Sequence, residues 1–441
     1  MARWSTRGNE NTVLAARQSD LTTENTTGAS FVALPVSIEV DHVQEQEDFS
    51  DLASGAIGTF EPPAPGSKSG GTLKIAGRIE CMMALYAGVS NNPGDTGVIS
   101  PIMSLIANAL GSVSADVTTD AEFWKGFHLT RVPYAALGIN AVSASTTIAS
   151  VNLFSDYTVG ALAYWDPATP STTPSFGFVK STTDAVQDLA TMFEAMAVAP
   201  TDLDVAYGTA TASLTAAPTI PLTFHRVSYD GAQGATTAFK YSYIGCVATR
   251  LMLDFSSGKT PTFEIDYVYT DRSRYSVGTS PSAPANFQAA RPFLGKNGGR
   301  FLVNGAAACG YKDFKVECTW TITPVECPNK AQGVSEFVRL LDNIAVTATI
   351  PLDSGDVITG TLDEYEAAYE AGTSYSVGAY VGQAPGSTCA LLLPSMALSA
   401  SPTLVDSDGL LAHELSWRPL AYTGDGSAVV PGNTPLRLAV A

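Results

Sequence analysis

Six cysteines, four histidines and 42 acidic residues are the groups in this 441-residue chain with the chemistry for catalysis or metal binding. The stretch "LDFSSGKT" ends like a phosphate-binding loop, but Leu253 stands where the first glycine belongs. Pro261 and an alternating strand follow, where a helix N-terminus would have to face the phosphate. "DSDG" (Asp406 to Gly409) begins like a calcium loop, yet its sixth position is Leu411 rather than glycine, so a tight turn is expected. His42, His128, His225 and His413 belong to no G-x-S-x-G, H-E-x-x-H or Cys–His signature. Two of them fall on apolar strand faces and are expected to be structural. Cys81, Cys246, Cys309, Cys318, Cys327 and Cys389 form no CxxC pair, and buried free thiols are expected. Glu39, Asp41, Glu45, Glu47 and Asp48 could supply paired carboxylates, but no partner histidine or sugar-stacking aromatic run accompanies them. No catalytic constellation emerges, and neither an enzyme nor a cofactor is expected.

Composition narrows the classes further. Hydrophobic residues make up 45% of the chain and charged ones 15%, enough for real cores but a sparse charged surface. Such a surface is either covered by Ser, Thr, Gly and Ala or buried against copies of itself. A net charge of −18 disfavours phosphate binding, and suits a surface that nucleic acid must pass without sticking. The N-terminal stretch lacks an apolar segment of signal-peptide length, and no run is long enough for a membrane helix. A chain made in a cytoplasm, and not embedded in a membrane, is the expectation.

The elements around these residues are mainly β. "VSIEVDH" puts Val36, Ile38, Val40 and His42 on one face, and Glu39 and Asp41 on the other. "VECTWTI" alternates likewise from Val316 to Ile322. "FEIDYVY" sets Phe263, Ile265, Tyr267 and Tyr269 opposite Glu264 and Asp266, and "LAHELSW" sets Leu411, His413, Leu415 and Trp417 opposite Glu414 and Arg418. Helices are expected at "SPIMSLIANALG", capped by Ser100 and closed by Gly111, at "DAVQDLATMFEAMAVAP", and at "LDEYEAAYEAG".

These landmarks suggest an internal duplication. The early strands correspond at an offset of 280 residues and the late ones at 148, leaving roughly 130 extra residues in the first copy. The expected units are residues 1–275, with a long loop at 49–71 and an insertion at about 112–220, and residues 293–441, joined by a Ser/Gly/Ala/Pro linker at 276–292. The loop segment "LASGAIGTFEPPAPGSKSGG" (52–71) is half apolar, yet its five glycines and three prolines disfavour regular pairing. A loop of that length is uncommon in a compact domain unless it is functional.

The order of these pieces resembles the major tail tube proteins of long-tailed bacteriophages. The likeness runs through "NTVLAARQSD", "VSIEVDH", "PAPGSKSGGTLKIAGRIE" and "SPIMSLIANALG". It is closer in "FKVECTWTITPVECPNKAQGVSEF", "AVTATIPLDSG", "LDEYEAAYEAG", "LLLPSMALSASPTLVDSDGLLAHELSW" and "TPLRLAVA". The resemblance implies two tandem β-sandwich or barrel-like tube domains, each with a flanking helix. It implies virion rings, of three chains with pseudo-sixfold symmetry, assembled in the host bacterial cytoplasm and stacked into a tube. Tape measure and tail-end proteins would be partners, and double-stranded DNA would pass through without specific binding. Ring-to-ring contact would fall on the long loops at 49–71 and 324–343, with Leu52, Ile57, Phe60, Pro62, Pro63, Phe337, Val338, Leu340 and Leu341 as anchors. Glu39, Asp41, Glu264, Asp266 and Glu414 would give the lumen its like charge. The alternatives are another β-sandwich virion protein, such as a capsid decoration or an adhesin-like surface binding module, and an acid-dependent hydrolase using the carboxylate cluster.

Overall fold

The computed structural model describes residues 11–27, 31–47, 64–79, 101–113, 117–125, 210–215, 218–229, 238–277, 299–303, 306–308, 311–327, 333–352, 364–382, 389–422 and 434–440, with residue 329 and short strand segments between 84 and 207. The structure is mainly β, and its long strands join into one large antiparallel sheet. The first half contains β1 (Asn11–Arg17), β2 (Val32–Leu34), β3 (Ser37–Glu47), β4 (Ala64–Arg78), α1 (Pro101–Leu110) and α2 (Asp120–Lys125). It continues with β5 (Ala210–Ser213), β6 (Leu222–Tyr229), β7 (Ala238–Asp254), β8 (Thr262–Tyr269) and β9 (Asp271–Val277). The second half contains β10 (Gly299–Val303), β11 (Ala306–Ala308), β12 (Asp313–Glu326), β13 (Val334–Pro351), α3 (Glu364–Ala371) and β14 (Ser374–Val381). It ends with β15 (Cys389–Leu398), β16 (Thr403–Ser407), β17 (Leu410–Pro419) and β18 (Arg437–Val440).

Strand pairing repeats between the halves. The ladder β2–β1–β6–β7–β9 has its counterpart in β11–β10–β14–β15–β18. The ladder β7–β8–β4–β3 has its counterpart in β15–β17–β13–β12. Even a β-bulge recurs: Leu222 faces Cys246 and Phe224 faces Tyr243 in one half, as Tyr375 faces Met396 and Val377 faces Leu393 in the other. From that bulge the pairings superpose Tyr267 on Trp417, Ile75 on Ala348 and Val40 on Val316. The offset is therefore 150 for β8 on β17 and 276 for β3 on β12, which corrects the 148 and 280 expected from the sequence for those strands. Both corrections are even numbers. Side-chain alternation fixes which face a strand residue occupies, while a slip of two residues leaves every face unchanged.

One hydrophobic core serves both halves, with Ile75, Leu253 and Phe263 beside Phe314, Val346 and Trp417. The sheet crosses between the expected units twice, where β7 pairs with β12 and where β5 pairs with β18. Helix α1 starts at Pro101 and ends at Gly111, whose φ of 76° suits glycine. All ten of its residues are buried, because β5, β7 and α2 pack around it. The polar Asn108 among them is satisfied, donating to the Ile220 carbonyl and accepting from the Ile220 N–H at 2.9 Å each. In α3, Tyr365 and Ala368 pack on the core while Tyr369 stays exposed.

Two expectations are corrected. The helix expected around 186–196 is replaced by strands, Gln187–Asp188 pairing with Thr147–Ile148 and Phe193–Ala195 with Gly177–Val179. Apolar residues are so dense along this stretch that a strand spacing can be drawn through it as readily as a helical one. The long loop is also shorter than 49–71, because β4 begins at Ala64. Pro65 lies opposite Gln46 beside a bulge, at a sheet edge that tolerates a missing N–H. Gly71 is required by contact rather than by a turn. A Cβ there would stand 2.0 Å from the Asp41 carbonyl oxygen and 2.7 Å from the Tyr269 hydroxyl, which donates to that carbonyl at 3.1 Å.

Candidate assembly edges

The pairings chain eight strands into one ladder across both halves, in the order β3–β4–β8–β7–β12–β13–β17–β16. Its middle is the joint between halves, where Arg250, Leu251, Met252, Leu253 and Asp254 face Thr319, Cys318, Glu317, Val316 and Lys315. Alternation sends Leu251, Leu253, Val316 and Cys318 into the core, all essentially inaccessible to solvent. On the opposite face Arg250 clamps the joint. Its Nε reaches Glu317 Oε1 at 2.5 Å, and its Nη1 reaches Glu264 Oε1 at 2.6 Å and Asp266 Oδ2 at 3.2 Å. Lys74 Nζ holds the other Glu264 oxygen at 2.8 Å. Partial burial pushes the Glu264 carboxyl up, but hydrogen bonds from Lys74 and Arg250 outweigh it and hold the group below its ordinary value.

Among the described residues the two ends of the ladder are open: β3 pairs with β4 alone and β16 with β17 alone. By the superposition above, β3 corresponds to β12, and Thr403, Leu404 and Val405 of β16 correspond to Met252, Leu253 and Asp254 of β7. The two open edges are thus the halves of the internal joint, repeated without a partner strand among the described residues. Exposure follows pairing. Leu253 is 0% exposed and its counterpart Leu404 is 53% exposed. Phe314 and Val316 are buried, whereas Ile38 and Val40 are half-buried.

The five acids expected to line a lumen share the ladder face turned away from the core. Glu39 lies across from Lys74, Lys74 from Asp266, and Asp266 from Arg250, while Glu414 sits between Thr349 and Thr403. Sequence alternation located the acids but not their basic neighbours. Lys74 and Arg250 belong to strands whose apolar runs hide the polar face. That face is a mixed-charge surface with an acidic margin at Glu39, Asp41 and Glu414.

Of the expected contact residues, Leu52, Ile57, Phe60, Pro62 and Pro63 lie outside the described residues. Phe337, Val338, Leu340 and Leu341 belong to strand rather than loop, because β12 and β13 stay paired out to Glu326 and Val334. Phe337 is half-buried against a cluster of Leu21, Val247 and Val334, while Val338, Leu340 and Leu341 are exposed. Arg339 pins this arm to the first half. Its guanidinium stacks 3.7 Å from the Trp320 ring, its Nε donates to the Ala248 carbonyl at 3.0 Å, and its Nη2 donates to the Ala109 carbonyl near the end of α1. Burial lowers its pKa to about 9. A groove of about 840 Å³ runs beside it, lined by Leu21, Val247, Trp320, Phe337 and Leu340 among others.

The remaining chemical candidates lie, where described, in turns, ring contacts and buried positions. Gly258 and Lys259 occupy the turn from β7 into β8, and Gly409 closes a turn by donating to Asp406 Oδ1 at 2.8 Å. His225 stacks on Phe31, with its Nε2 3.3 Å from Glu24, and burial depresses its pKa. His42 Nδ1 contacts the Tyr269 hydroxyl at 3.0 Å. Cys246, Cys318 and Cys389 are buried free thiols, and burial raises the pKa of each. His128, Cys81 and Cys309 lie outside the described residues. Among the described residues no group of three His, Cys, Asp or Glu could hold a metal ion. No helix there is long and apolar enough to cross a membrane. The chain matches no family model and no curated protein.

Proposed function

We propose that this chain is a structural virion protein, the subunit of a phage tail tube in which two tandem tube domains per chain build stacked rings. The observation that carries the reading is the eight-strand ladder with complementary open ends. A ladder joined head to tail with copies of itself closes into a ring through one repeated heterologous contact, and closure removes the aggregation-prone edges. The core, α1 and α3 lie on one side of the ladder, which leaves the polar face for the lumen.

Strand spacing sets the ring size. Strands lie about 4.8 Å apart and tilt by up to about 40° in barrels, and inward side chains take roughly 5 Å from each wall. Two chains would leave a channel of about 14–22 Å, and three would leave about 27–38 Å. A DNA duplex about 20 Å across would fill the two-chain channel even at its widest, so clearance for sliding favours the three-chain ring. Three chains with two units each give pseudo-sixfold symmetry. The mixed-charge lumen, acidic at its margin, lets DNA slide without the counterion release that would hold it. Exposed Val338, Leu340 and Leu341, with Leu52, Ile57, Phe60, Pro62 and Pro63 of the other arm, supply ring-to-ring contacts. Tape measure and tail-end proteins would occupy and close the tube during assembly in the host cytoplasm.

A capsid decoration or surface binding module would have the same composition, but it has no need of matched open edges. Negative-stain microscopy of the purified chain separates the two. Stacked rings with a channel wide enough for duplex DNA support the tube, and dispersed monomers would exclude it.

A further inference from the structure

The internal joint specifies more than the fact of self-association. We infer that β16 of one chain pairs antiparallel with β3 of the next in a single register, Thr403 opposite Asp41, Leu404 opposite Val40 and Val405 opposite Glu39. The partner is a second copy of this chain, and the joint deepens the ring reading on which it rests.

The register follows from the molecule's own template. Within the chain Met252 faces Glu317, Leu253 faces Val316 and Asp254 faces Lys315. Replacing each residue by its counterpart in the other half gives the three intermolecular pairs. The apolar alternation agrees independently. Leu404 stands opposite Val40 on the core face, so the exposed leucine and the half-buried valine cover one another as Leu253 and Val316 do. A slip of one residue would bring Leu404 against Asp41 or Glu39 and leave a carboxylate on the core face, which opposes it strongly. A slip of two keeps the faces but sets Leu404 opposite Ile38 or His42. Antiparallel direction is imposed as well, because β16 runs opposite to β17 and β12 opposite to β7. The clamp is the one part not copied. No arginine occupies the stretch from Ser399 to Pro402, where the counterpart of Arg250 falls, so the joint between chains rests on backbone pairing and the Leu404–Val40 contact.

Cysteine pairs read the register directly, since residues directly opposite in antiparallel strands have Cα atoms about 4.5–5.5 Å apart, within disulfide reach. Thr403→Cys with Asp41→Cys should give, on mild oxidation of assembled protein, covalent multimers that neither single variant gives. Thr403→Cys with Glu39→Cys, two residues out of register, should give few. All three positions are exposed on the polar face, so folding is little disturbed. Reciprocal efficiencies, or no crosslinks from either pair in assembled protein, would overturn the register. A charge cycle gives a second reading. Thr403→Glu, facing Asp41, should raise the critical concentration for assembly about two- to five-fold, and Asp41→Lys added to it should restore assembly. A Thr403→Glu chain that assembles like the parent would overturn the pairing. In-register crosslinks in closed rings that never stack would keep the pairing and reject the tube. A chain that stays monomeric at about 1 mM overturns both.

Discussion

The β7–β12 joint and the open edges of β3 and β16 are made of corresponding strands, one set closed and the other waiting. Inside the chain, Leu253 is sealed between β8 and β12, and Arg250 ties Glu264 and Asp266 of β8 to Glu317 across the joint. At the open edges Leu404 faces solvent and Ile38 and Val40 are half covered. The difference between them is connection. A covalent link holds β12 near β7 at an effective concentration on the order of millimolar, so the internal joint forms as the chain folds. The outer joint inferred above would have no link and no clamp, and would have to gather its partner from solution. An open edge is an aggregation hazard in the meantime. Here it is limited by the five-residue length of β16 and by Glu39 and Asp41, which bar a one-residue slip.

The sharpest way to break this comparison is to truncate the two corresponding leucines. Leu253→Ala opens a cavity in a closed core and should cost about 2–5 kcal/mol of folding stability. Leu404→Ala removes a side chain that touches little in the free subunit and should stay within about 0.5 kcal/mol. It should nevertheless impair ring formation, which the Leu253 variant loses only through unfolding. Denaturation midpoints of the unassembled chain, followed by sedimentation at assembly concentrations, measure both. Equal destabilisation by the two variants would mean that β16 is already paired in the free subunit.

Arg339 comes next in size, because it fastens the second-half hairpin to the first half away from the ladder. Arg339→Leu should cost about 2–4 kcal/mol, since the Ala248 and Ala109 carbonyls lose a buried charged donor. If β12 and β13 depend on that anchor, proteolysis of the hairpin in the variant should outpace cleavage elsewhere. Uniform cleavage would show that the β7–β12 and β5–β18 pairings hold the halves together without it.

How much of this was legible depends on periodicity. Alternation in "FEIDYVY" and from His413 to Trp417 identified strands, buried faces and the polar acids, because burial on one face writes a period of two, but Leu411, expected inward, is exposed beside the turn from β16 to β17. The same period cannot distinguish registers two residues apart, so the duplication was visible while its offsets were not. The bulge at Leu222–Phe224 and Tyr375–Val377 settles them, and a bulge leaves no mark in alternation. The glycines at 70 and 71 suggested a loop because their reason lies some 200 residues away, in the Tyr269 carbonyl against Gly70 and in the Tyr269 side chain crossing Asp41 at Gly71. The role of Arg250 is invisible in the sequence for a similar reason. Its three acidic partners come from β8 and β12, and only strand pairing brings them together.

Arg250→Ala tests the clamp itself, and a smaller effect is expected because the guanidinium remains partly exposed. The loss should be about 1 kcal/mol, from unbalanced repulsion among Glu264, Asp266 and Glu317 as much as from missing hydrogen bonds. High salt should reduce the difference between parent and variant by screening that repulsion. A loss that does not change with salt would assign the effect to packing of the arginine stem against Met252 instead.

Acid should loosen the closed joint by the least amount. Glu264 is held below its ordinary carboxyl value of 4.5, so the unfolded chain takes up its proton more readily than the folded one. Its contribution is therefore complete above about pH 4.5 and is lost as pH falls through the lower folded value. In Glu264→Gln that part of the acid dependence should be absent, leaving a flatter decline in stability below pH 4.5 than the parent shows. The substitution keeps the side-chain shape and one acceptor oxygen, so the comparison isolates the charge held by Lys74 and Arg250. Parallel pH profiles for parent and variant would mean that the carboxylate adds nothing to the joint beyond its hydrogen bonds, and that the closed edge differs from the open ones by burial alone.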